Sequence, residues 1–136
     1  MRIRVLPDEH RRAAVALWHA AGLTRPWNDP DDDLRRALAG PASTVLAALE
    51  DGRLVGTVMV GHDGHRGWMY YLAVADRRRG TGRALVAAAE EWLGGRVPKA
   101  QLMVRADNVD ALAFYKRLGY ERSDVTVLGR RLDEQS

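Results

Sequence analysis

The sequence predicts a mixed α/β fold, in which a mostly antiparallel sheet carries helices on both faces. Two β-rich runs are joined by Asp51-Gly52, a dipeptide typical of tight hairpins. A strand, a helix and a second strand follow between Trp68 and Arg105, an order that makes those two strands parallel. The strand Trp68–Val74 is apolar on both faces, as in a central strand covered by helices on each side.

The N-terminal part of the chain predicts one short strand and two helices. Met1–Pro7 has the composition of a strand, and apolar residues recur at helical spacing over Asp8–Ala21. Asp29 precedes Pro30, a pair typical of a helix N-cap and the first helical residue. This second helix is expected to end near Gly40.

The rest of the chain alternates between strands and helices. The hairpin strands are Thr44–Leu49 and Leu54–Gly61. After Trp68–Val74 the pattern predicts, in order, a helix over Gly80–Leu93, a strand over Lys99–Arg105, a helix over Asn108–Leu118 and a strand over Val125–Leu132. A further short strand is compatible with Tyr120–Arg122. The predicted order of elements is therefore βααβββαβαβ.

Length and composition narrow the class of protein. The 136 residues show no linker or repeat and predict a single domain over residues 1–136. No stretch approaches the roughly 20 apolar residues that span a bilayer, and the first residues lack the features of a signal peptide. The absence of cysteine excludes disulfides, thiolate metal sites and cysteine nucleophiles. A cytoplasmic location is expected by default.

The net charge is +3, and arginine carries almost all of the positive charge, since lysine occurs only at Lys99 and Lys116. Arginine suits bidentate contact with phosphates, although the abundance of alanine also fits a general bias in composition. The pI near 9.7 raises the question of nucleic-acid binding. The basic residues are spread along the chain instead of lining one helix, so no nucleic-acid partner is predicted, and no membrane partner either.

The most specific local pattern lies between the strand ending at Val74 and the helix that follows. Its turn contains the run Arg77-Arg78-Arg79 and the glycines Gly80 and Gly82. Backbone N–H groups at a helix start point at one spot, where the helix dipole adds positive potential. Glycines allow close approach of a phosphate to the backbone. The pattern predicts a pyrophosphate-binding turn, although it lacks the Gly-Lys-Ser/Thr ending of Walker A and has Leu85 where a dinucleotide fingerprint has its third glycine.

Two motifs make the sequence resemble the GNAT superfamily of N-acetyltransferases. The first is Leu72-Ala73-Val74 followed by Arg77-x-x-Gly80-x-Gly82. The second is residues 108–120, which match the superfamily pattern N-x-x-A-x-x-x-Y-x-x-x-G-[FY]. The order of elements agrees over nearly the whole chain. Within the superfamily, the loops at residues 25–30 and 63–67 look similar to a small bacterial subfamily typified by YpeA.

The resemblance implies acetyl-CoA as co-substrate and transfer of its acetyl group to a primary amine, without a metal. The parallel strands at Leu72–Val74 and Leu102–Val104 would splay into a V that admits the pantetheine arm. The Val74 N–H would also polarise the thioester carbonyl, an oxyanion-type role. The implied cofactor contacts are Leu72, Ala73, Val74, Arg77, Arg79, Gly80, Thr81, Gly82, Arg83, Ala84, Asn108 and Tyr115.

The resemblance also gives Tyr115 the role of general acid. The departing CoA thiolate needs a proton, which a phenol facing the cleft can donate. Alternatively, Tyr115 is a core residue on the same helix face as Ala111 and Leu118. Asn108 would contact the cofactor arm, and it also fits a helix N-cap. These two roles of Asn108 are compatible.

The general base is left open. An alkylammonium acceptor has a pKa near 10.4 and must lose a proton before it can attack. Many superfamily members carry a glutamate on the strand before the cofactor turn, whereas this strand reads Trp68-Met69-Tyr70-Tyr71. Asp63, His65 and Tyr70 are the candidate bases. The missing glutamate also motivates an alternative function, a CoA-binding sensor or regulatory module without turnover.

The acceptor is expected to enter opposite the cofactor, between two loops. Trp27 could form an apolar or cation-binding wall or plug the helices, and Asp29 could cap a helix instead of binding the acceptor. His62 and His65 are too few to indicate a metal site. A polyamine, an amino acid, an antibiotic and a protein N-terminus all stay open as acceptors, and a homodimer is common among related proteins. The candidate acceptor residues are Trp27, Asn28, Asp29, His65 and Arg66.

Overall fold

The computed structural model describes residues 1–77 and 79–133. The chain groups into two compact units, one formed by Met1–Met103 and the other by Val104–Ser136. A single domain over residues 1–136 stays a prediction, because the grouping into two compact units does not test it. No helix in the described part of the chain is long and apolar enough to cross a bilayer.

The first unit contains a five-stranded sheet, whose strands lie in the order β1-β2-β3-β4-β5. Neighbouring strands are antiparallel except β4 and β5, which are parallel, so the predicted mixed sheet is confirmed. The parallel ladder ends at the pair Met69↔Leu102, while β4 continues along β3 to Val74. The strands are β1 (Arg2–Val5), β2 (Ser43–Glu50), β3 (Arg53–His62), β4 (Gly67–Val74) and β5 (Ala100–Leu102).

The turn between β2 and β3 is the one that Asp51-Gly52 predicts. Both residues have positive φ, 52° at Asp51 and 77° at Gly52. A type I′ hairpin turn requires this conformation at both central positions, and Asp and Gly are among the residues that tolerate it. The turn fixes the register Glu50↔Arg53, which starts the longest antiparallel ladder of the sheet.

Three helices cover the sheet: α1 (Arg11–Ala20), α2 (Pro30–Ala39) and α3 (Thr81–Leu93). A Cβ on Gly56 in β3 would come within 2.8 Å of the Leu85 side chain in α3. The next residue, Thr57, accepts a hydrogen bond from Trp18 Nε1 of α1 at 2.8 Å. Successive strand residues point to opposite faces, so α1 and α3 lie on opposite faces of the sheet, as predicted.

Each face has its own apolar core. Trp18 of α1 is fully buried against the sheet, and Ala73 of β4 belongs to the same cluster. On the other face, α3 buries the side chains Leu85, Val86, Ala89 and Leu93. Burying an aliphatic or aromatic side chain of this size stabilises a fold by about 1.5–3 kcal/mol. These contacts hold β4 and the start of α3 in place.

The second unit contains α4 (Val109–Arg117), close to its predicted bounds. The predicted strand Val125–Leu132 is wrong, because this segment is irregular, as is Tyr120–Arg122. Its apolar side chains are exposed, with Leu128 at 90% and Leu132 at 92%. A strand depends on ladder hydrogen bonds with a neighbour, which β-propensity alone does not supply. In the first unit, β5 is also shorter than predicted and ends at Leu102.

Candidate active site

The C-terminal half of β4 has one backbone edge that points away from β3. Ala75 N–H, directly after the strand, donates to Val55 O of β3 at 2.9 Å. The backbone groups of successive strand residues point to opposite edges. The N–H and C=O of Val74, and those of Leu72 two residues earlier, therefore point away from β3. The ladder with β5 has already ended at Met69, so both backbones line an edge that β5 does not pair.

Ala73, also predicted as a cofactor contact, is oriented differently from its two neighbours. It pairs with Thr57, so its backbone groups face β3. Its side chain is 3% exposed and lies in the core cluster with Trp18. Ala73 therefore contributes to the position of this edge through packing, while Leu72 and Val74 present the backbone groups.

The helix that follows, α3, begins at an N-terminus that no side chain in the described part of the chain caps. Gly80 is the N-cap residue and has a φ of 74°, which glycine adopts without strain. By contrast, the Asp29 carboxylate caps α2 by accepting from Asp31 N–H at 2.9 Å. The first turn of α3 also contains no acidic residue. Its N–H groups and dipole therefore favour an anion at this point.

Fewer backbone amides are free at this turn than the sequence suggests. Ala84 N–H already donates to Gly80 O at 3.2 Å, and Arg79 N–H donates to Asp76 O at 3.4 Å. The first residues of a helix have no carbonyl four positions earlier within it, which leaves the amides of residues 81–83. Thr81 as a whole residue is 5% exposed, so only a small part of it, such as its backbone N–H, can contact an anion.

Arginine side chains surround the turn, and Arg79 forms an ion pair there. The Arg79 guanidinium donates from Nη2 to both oxygens of Glu50, at 3.0 and 3.2 Å. Arg77 and Arg83 are exposed. Arg78, the middle residue of the predicted run, lies outside the described residues. An arginine that binds a pyrophosphate here would supply bidentate contacts, and Arg79 would first have to leave Glu50.

The second unit holds the other two predicted cofactor residues. Asn108 Oδ1 accepts from Ala111 N–H at 3.1 Å, which confirms its interpretation as the N-cap of α4. The Tyr115 ring packs edge-on against Phe114 and Tyr120, with centroids 5.0 and 5.8 Å away. Burial raises the pKa of Tyr115 to about 12. At neutral pH its phenol is therefore protonated and can donate a proton.

The sequence matches the model of the Acetyltransferase (GNAT) family over residues 9–120. The matched range contains the open edge of β4, the turn before α3 and the helix that carries Tyr115. The chain belongs to the GNAT family. It is thus a member of a family of acetyl-CoA-dependent N-acetyltransferases.

Solved structures share this GNAT fold over nearly their whole length. A transcriptional regulator from Bacillus halodurans C-125 is 19% identical, has a TM-score of 0.84, and aligns over 96% of this chain and 99% of its own. AAC(6')-Iy, solved in complex with the bisubstrate analog CoA-S-monomethyl-acetylneamine, is 18% identical with a TM-score of 0.80 over 96% and 97%. A ribosomal-protein-alanine N-acetyltransferase from Brucella melitensis biovar Abortus 2308 is 20% identical with a TM-score of 0.74 over 97% and 100%. At these identities the likeness shows the fold alone.

On the acceptor side, the loop before α2 contains one exposed aromatic residue and one cap. Trp27 is 52% exposed, so about half of its surface is accessible in this loop. Asn28 N–H donates to Arg25 O at 3.1 Å within the loop. Asp29 accepts from Asp31 N–H and, at 3.4 Å, from Asp32 N–H, so its carboxylate acts as the helix cap. Trp27 is therefore the residue of this loop with a large free surface.

The hairpin between β3 and β4 contains two of the candidate bases. Asp63 Oδ1 accepts from the N–H groups of His65 and Arg66, both at 2.8 Å. These backbone hydrogen bonds, that of Arg66 first, lower the pKa of Asp63 and make it a weaker base. His62 is engaged in the same turn through Gly64 N–H. In the described part of the chain, no three His, Asp or Glu residues gather as a metal site would require.

The hairpin also lies at the opposite end of β4 from Val74. Gly67 pairs with His62 and Val74 with Gly56, six steps apart along β3, which at 3.3 Å per step is about 20 Å. His65 and Asp63 precede Gly67, so their backbones are at least that far from the Val74 amide along the strand. Arg66 donates from Nη1 to the His65 carbonyl at 3.0 Å and stays in the turn.

Tyr70, the third candidate base, lies on β4 itself. Its ring is 41% exposed and stacks near Trp68, with the centroids 6.5 Å apart. Burial raises the pKa of Tyr70, so the phenol is protonated at neutral pH and can orient a water more readily than it can remove a proton. Backbone hydrogen bonds thus weaken Asp63 as a base, Tyr70 is protonated, and His65 lies beyond the opposite end of β4 from Val74.

Tyr71, the residue after Tyr70, has a backbone conformation that the sequence does not predict. It is one of two described non-glycine residues with a positive φ, 52°, and its hydroxyl donates to Asp33 Oδ2 at 2.8 Å. The sequence gives no signal for this conformation, because the strand is apolar on both faces and shows no alternation that a bulge would interrupt.

Proposed function

We propose that this GNAT protein transfers the acetyl group of acetyl-CoA to a primary amine by direct attack within a ternary complex. The observation that carries the proposal is the combination of the open edge of β4 with the uncapped start of α3. A strand edge suits the amide groups of the pantetheine arm, and a helix N-terminus suits the pyrophosphate. Only the turn from Ala75 to Gly80 separates the two.

In this proposal the backbone of the first unit holds the donor. The amides of residues 81–83 bind the pyrophosphate, with Arg77, Arg79 and Arg83 around it. Leu72 and Val74 pair with the pantetheine arm, and Val74 N–H donates to the thioester carbonyl oxygen, where negative charge develops during attack. Acetyl-CoA supplies an acyl group activated as a thioester.

Proton transfer is assigned to side chains. Tyr115 donates its phenolic proton to the sulfur as the C–S bond breaks, a role that its pKa of about 12 permits. Asn108 positions the start of α4 and contacts the cofactor arm. Among Tyr70, His65 and Asp63, we favour Tyr70 for the acceptor side, since it lies two residues before Leu72. Its hydroxyl would orient a water that takes the proton of the amine.

The acceptor is proposed only as a class, a primary amine. The names of two of the solved structures refer to aminoglycosides and to the alanine of a ribosomal protein, and both kinds of molecule carry a primary amine. Trp27, with its exposed ring, would provide a wall for a cationic acceptor. The loop sequences support a narrower place in the YpeA-like subfamily.

A CoA-binding regulatory module is the second candidate function. Two observations favour it: the solved structure described as a transcriptional regulator has the same fold, and the candidate bases Asp63 and His65 lie beyond the opposite end of β4 from Val74. Such a module would bind acetyl-CoA at the same edge and turn, but would not turn it over.

Mass spectrometry of the protein incubated with acetyl-CoA and a panel of aminoglycosides, polyamines, amino acids and peptides separates the two functions. An acetylated product supports the enzyme and identifies the acceptor class. Saturable binding of acetyl-CoA without any product supports the regulatory module instead. Absence of acetyl-CoA binding by the folded protein contradicts both.

The Gly82→Glu variant tests the position of the phosphate site. A glutamate at the first turn of α3 places bulk and negative charge where the pyrophosphate is proposed to bind. Acetyl-CoA binding should be lost, as measured by calorimetry, while circular dichroism shows a folded protein. Tight binding by this folded variant would place the phosphate site elsewhere.

A further inference from the structure

Two backbone N–H groups that should point to the same edge of β4 point to opposite edges, one at the beginning of the strand and one just past its end. At the beginning, Gly67 N–H donates to Lys99 O, on the side of β5, at 2.8 Å. Just past the end, Ala75 N–H donates to Val55 O, on the side of β3, at 2.9 Å. In an uninterrupted strand, residues separated by an even number of positions point to the same edge. One residue between Gly67 and Ala75 must therefore be supernumerary.

The register places this extra residue next to Tyr71. Thr57 pairs with Ala73, and Met59 pairs with Tyr70, so two steps along β3 correspond to three along β4. Tyr71 lies inside this interval and has a φ of 52°. A β-bulge of this kind inserts one residue and reverses the alternation after it. Without the bulge, the amides of Leu72 and Val74 would point towards β3 instead of the open edge.

A left-handed tyrosine is less favourable than one in extended backbone, and such a residue persists only where its surroundings determine it. Three elements hold Tyr71. Its ring stacks on Trp18 of α1, with the centroids 3.9 Å apart and the planes 12° from parallel. Its hydroxyl donates to Asp33 Oδ2 of α2 at 2.8 Å. Its carbonyl accepts from Thr57 Oγ1 of β3 at 3.0 Å.

These contacts are themselves anchored. Trp18 is fully buried and donates from Nε1 to Thr57 Oγ1 at 2.8 Å, so the hydroxyl that holds the Tyr71 carbonyl has a fixed direction. Asp33 Oδ1 accepts from Arg36 at 2.7 Å, which leaves Oδ2 for the phenol. We call Trp18, Asp33, Thr57 and Tyr71 the bulge clamp.

We propose that the bulge clamp makes Tyr71 and Asp33 positioning residues for the donor site. The clamp fixes the bulge of β4 and thereby turns the Leu72 and Val74 amides towards the acetyl-CoA arm. The inference rests on the proposed function for the identity of the ligand, but the backbone arrangement it describes exists without the ligand. Neither residue needs to touch acetyl-CoA for its loss to weaken the site.

The first experiment uses amide hydrogen exchange, followed by NMR, in the protein without acetyl-CoA. The Tyr71→Phe variant keeps the stack on Trp18 and loses only the bond to Asp33, while Asp33→Ala removes the acceptor. Both should speed exchange of the Ala75 amide about tenfold, the scale of losing a hydrogen bond to a charged group. Ala47 in the middle of β2 serves as the reference amide. Unchanged exchange at Ala75, or equal acceleration at Ala47, would overturn the clamp as a local device.

The second experiment measures acetyl-CoA affinity by calorimetry, at a temperature where every variant is folded. Tyr71→Phe and Asp33→Ala should each raise the dissociation constant about tenfold. Asp33→Asn keeps an oxygen that accepts from the phenol and should bind acetyl-CoA clearly more tightly than Asp33→Ala does. Arg36→Ala, which removes only the other partner of Asp33, is the matched control and should bind as wild type does.

The outcomes separate the inference from the function on which it rests. If wild type does not bind acetyl-CoA, the proposed function fails, and the exchange data still decide on the clamp. If wild type binds and Tyr71→Phe and Asp33→Ala bind equally well, the positioning role is overturned. If Asp33→Asn binds as weakly as Asp33→Ala, the charge of Asp33 matters instead of its bond to Tyr71, and the clamp is overturned in that case as well.

Discussion

At the scale of single residues, Tyr115 is suited to donate a proton and not to accept one. Its pKa of about 12 keeps the phenol protonated over the neutral range, so it can act as an acid. Tyr115→Phe removes that proton and retains a ring to pack against Phe114 and Tyr120. We expect kcat to fall about 10²-fold, the scale of general acid catalysis, with little change in the KM for acetyl-CoA. Steady-state kinetics with an acceptor from the amine panel measures both.

The pH profile provides the control for this assignment. A general acid loses activity as the pH rises through its pKa, which for Tyr115 means near pH 12. A decline in kcat near pH 8 in the wild type must therefore come from another group and should persist in Tyr115→Phe. Turnover that is unaffected by Tyr115→Phe, or a decline near pH 8 that this variant abolishes, would contradict the assignment.

Glu50 is expected to compete with the cofactor for Arg79. The pair is largely exposed, and pairs of this kind contribute about 0–1 kcal/mol to stability. In Glu50→Gln the guanidinium no longer has to exchange one anion for another, so acetyl-CoA should bind about two- to fivefold more tightly, a change within that range. Calorimetry at low and high salt measures the effect.

Asp8→Asn is the matched control for this prediction, since it removes an exposed carboxylate paired with Arg11 in the same unit. It should leave acetyl-CoA affinity unchanged. Weaker binding by Glu50→Gln would mean that Glu50 orients Arg79 for the phosphate instead of competing for it.

At the scale of elements, the close approach of α3 to β3 positions the start of that helix. A Cβ on Gly56 would lie 2.8 Å from Leu85 Cδ1, 2.9 Å from Thr81 Cγ2 and 3.1 Å from Ala73 O. Gly56→Ala must therefore displace the buried Leu85 and Thr81 side chains of α3, or the helix itself, against the Ala73 carbonyl. We expect a loss of about 1–3 kcal/mol in the free energy of unfolding, the usual cost of overpacking, together with weaker acetyl-CoA binding.

Urea unfolding and calorimetry test these two effects of Gly56→Ala. Gly129→Ala is the control, because a Cβ there meets nothing within 4 Å. It should change stability by less than about 0.5 kcal/mol. Wild-type stability in Gly56→Ala would show that these side chains of α3, or the helix itself, can move without cost.

Sequence and structure agree where the chemistry of an element is local. Asp51-Gly52 predicts its turn because both residues tolerate positive φ, and Asp29 predicts the start of α2 because its carboxylate reaches the first free amides. The bulge at Tyr71 could not be predicted, since contacts from α1, α2 and β3 hold it. The strand predicted at Val125–Leu132 failed for a related reason, because its pattern carries no information about a pairing partner.

In the candidate site too, some features follow from the local sequence and others depend on tertiary contacts. The glycine at position 80 follows from a motif within one stretch of chain, whereas the direction of the Val74 amide depends on the bulge at Tyr71. The use of the Ala84 amide inside α3 and the pairing of Arg79 with Glu50 depend on coordinates. The identity of the base also depends on them, since the backbone bonds that weaken Asp63 form only in the folded hairpin.

At the scale of the whole molecule, the tyrosines determine how stability responds to alkaline pH. Burial raises the pKa of Tyr70, Tyr71 and Tyr115 above the usual value of 10.0. Above that value the unfolded chain loses these protons before the folded protein does. Since the unfolded state then binds fewer protons, the free energy of unfolding falls as pH rises. Stability should be flat below about pH 10 and decline from there through pH 12.

Urea unfolding at several pH values between 8 and about 11.5, with tyrosinate absorbance recorded alongside, measures this decline. Tyr71→Phe removes one of the three groups and should make the alkaline decline shallower, even though the variant is less stable at pH 8. Tyr115→Phe should act in the same direction, because its folded-state pKa is also raised. If the slope above pH 10 stays the same in both variants, the decline comes from other groups, and these phenols are ionised as easily in the folded protein as in the unfolded chain.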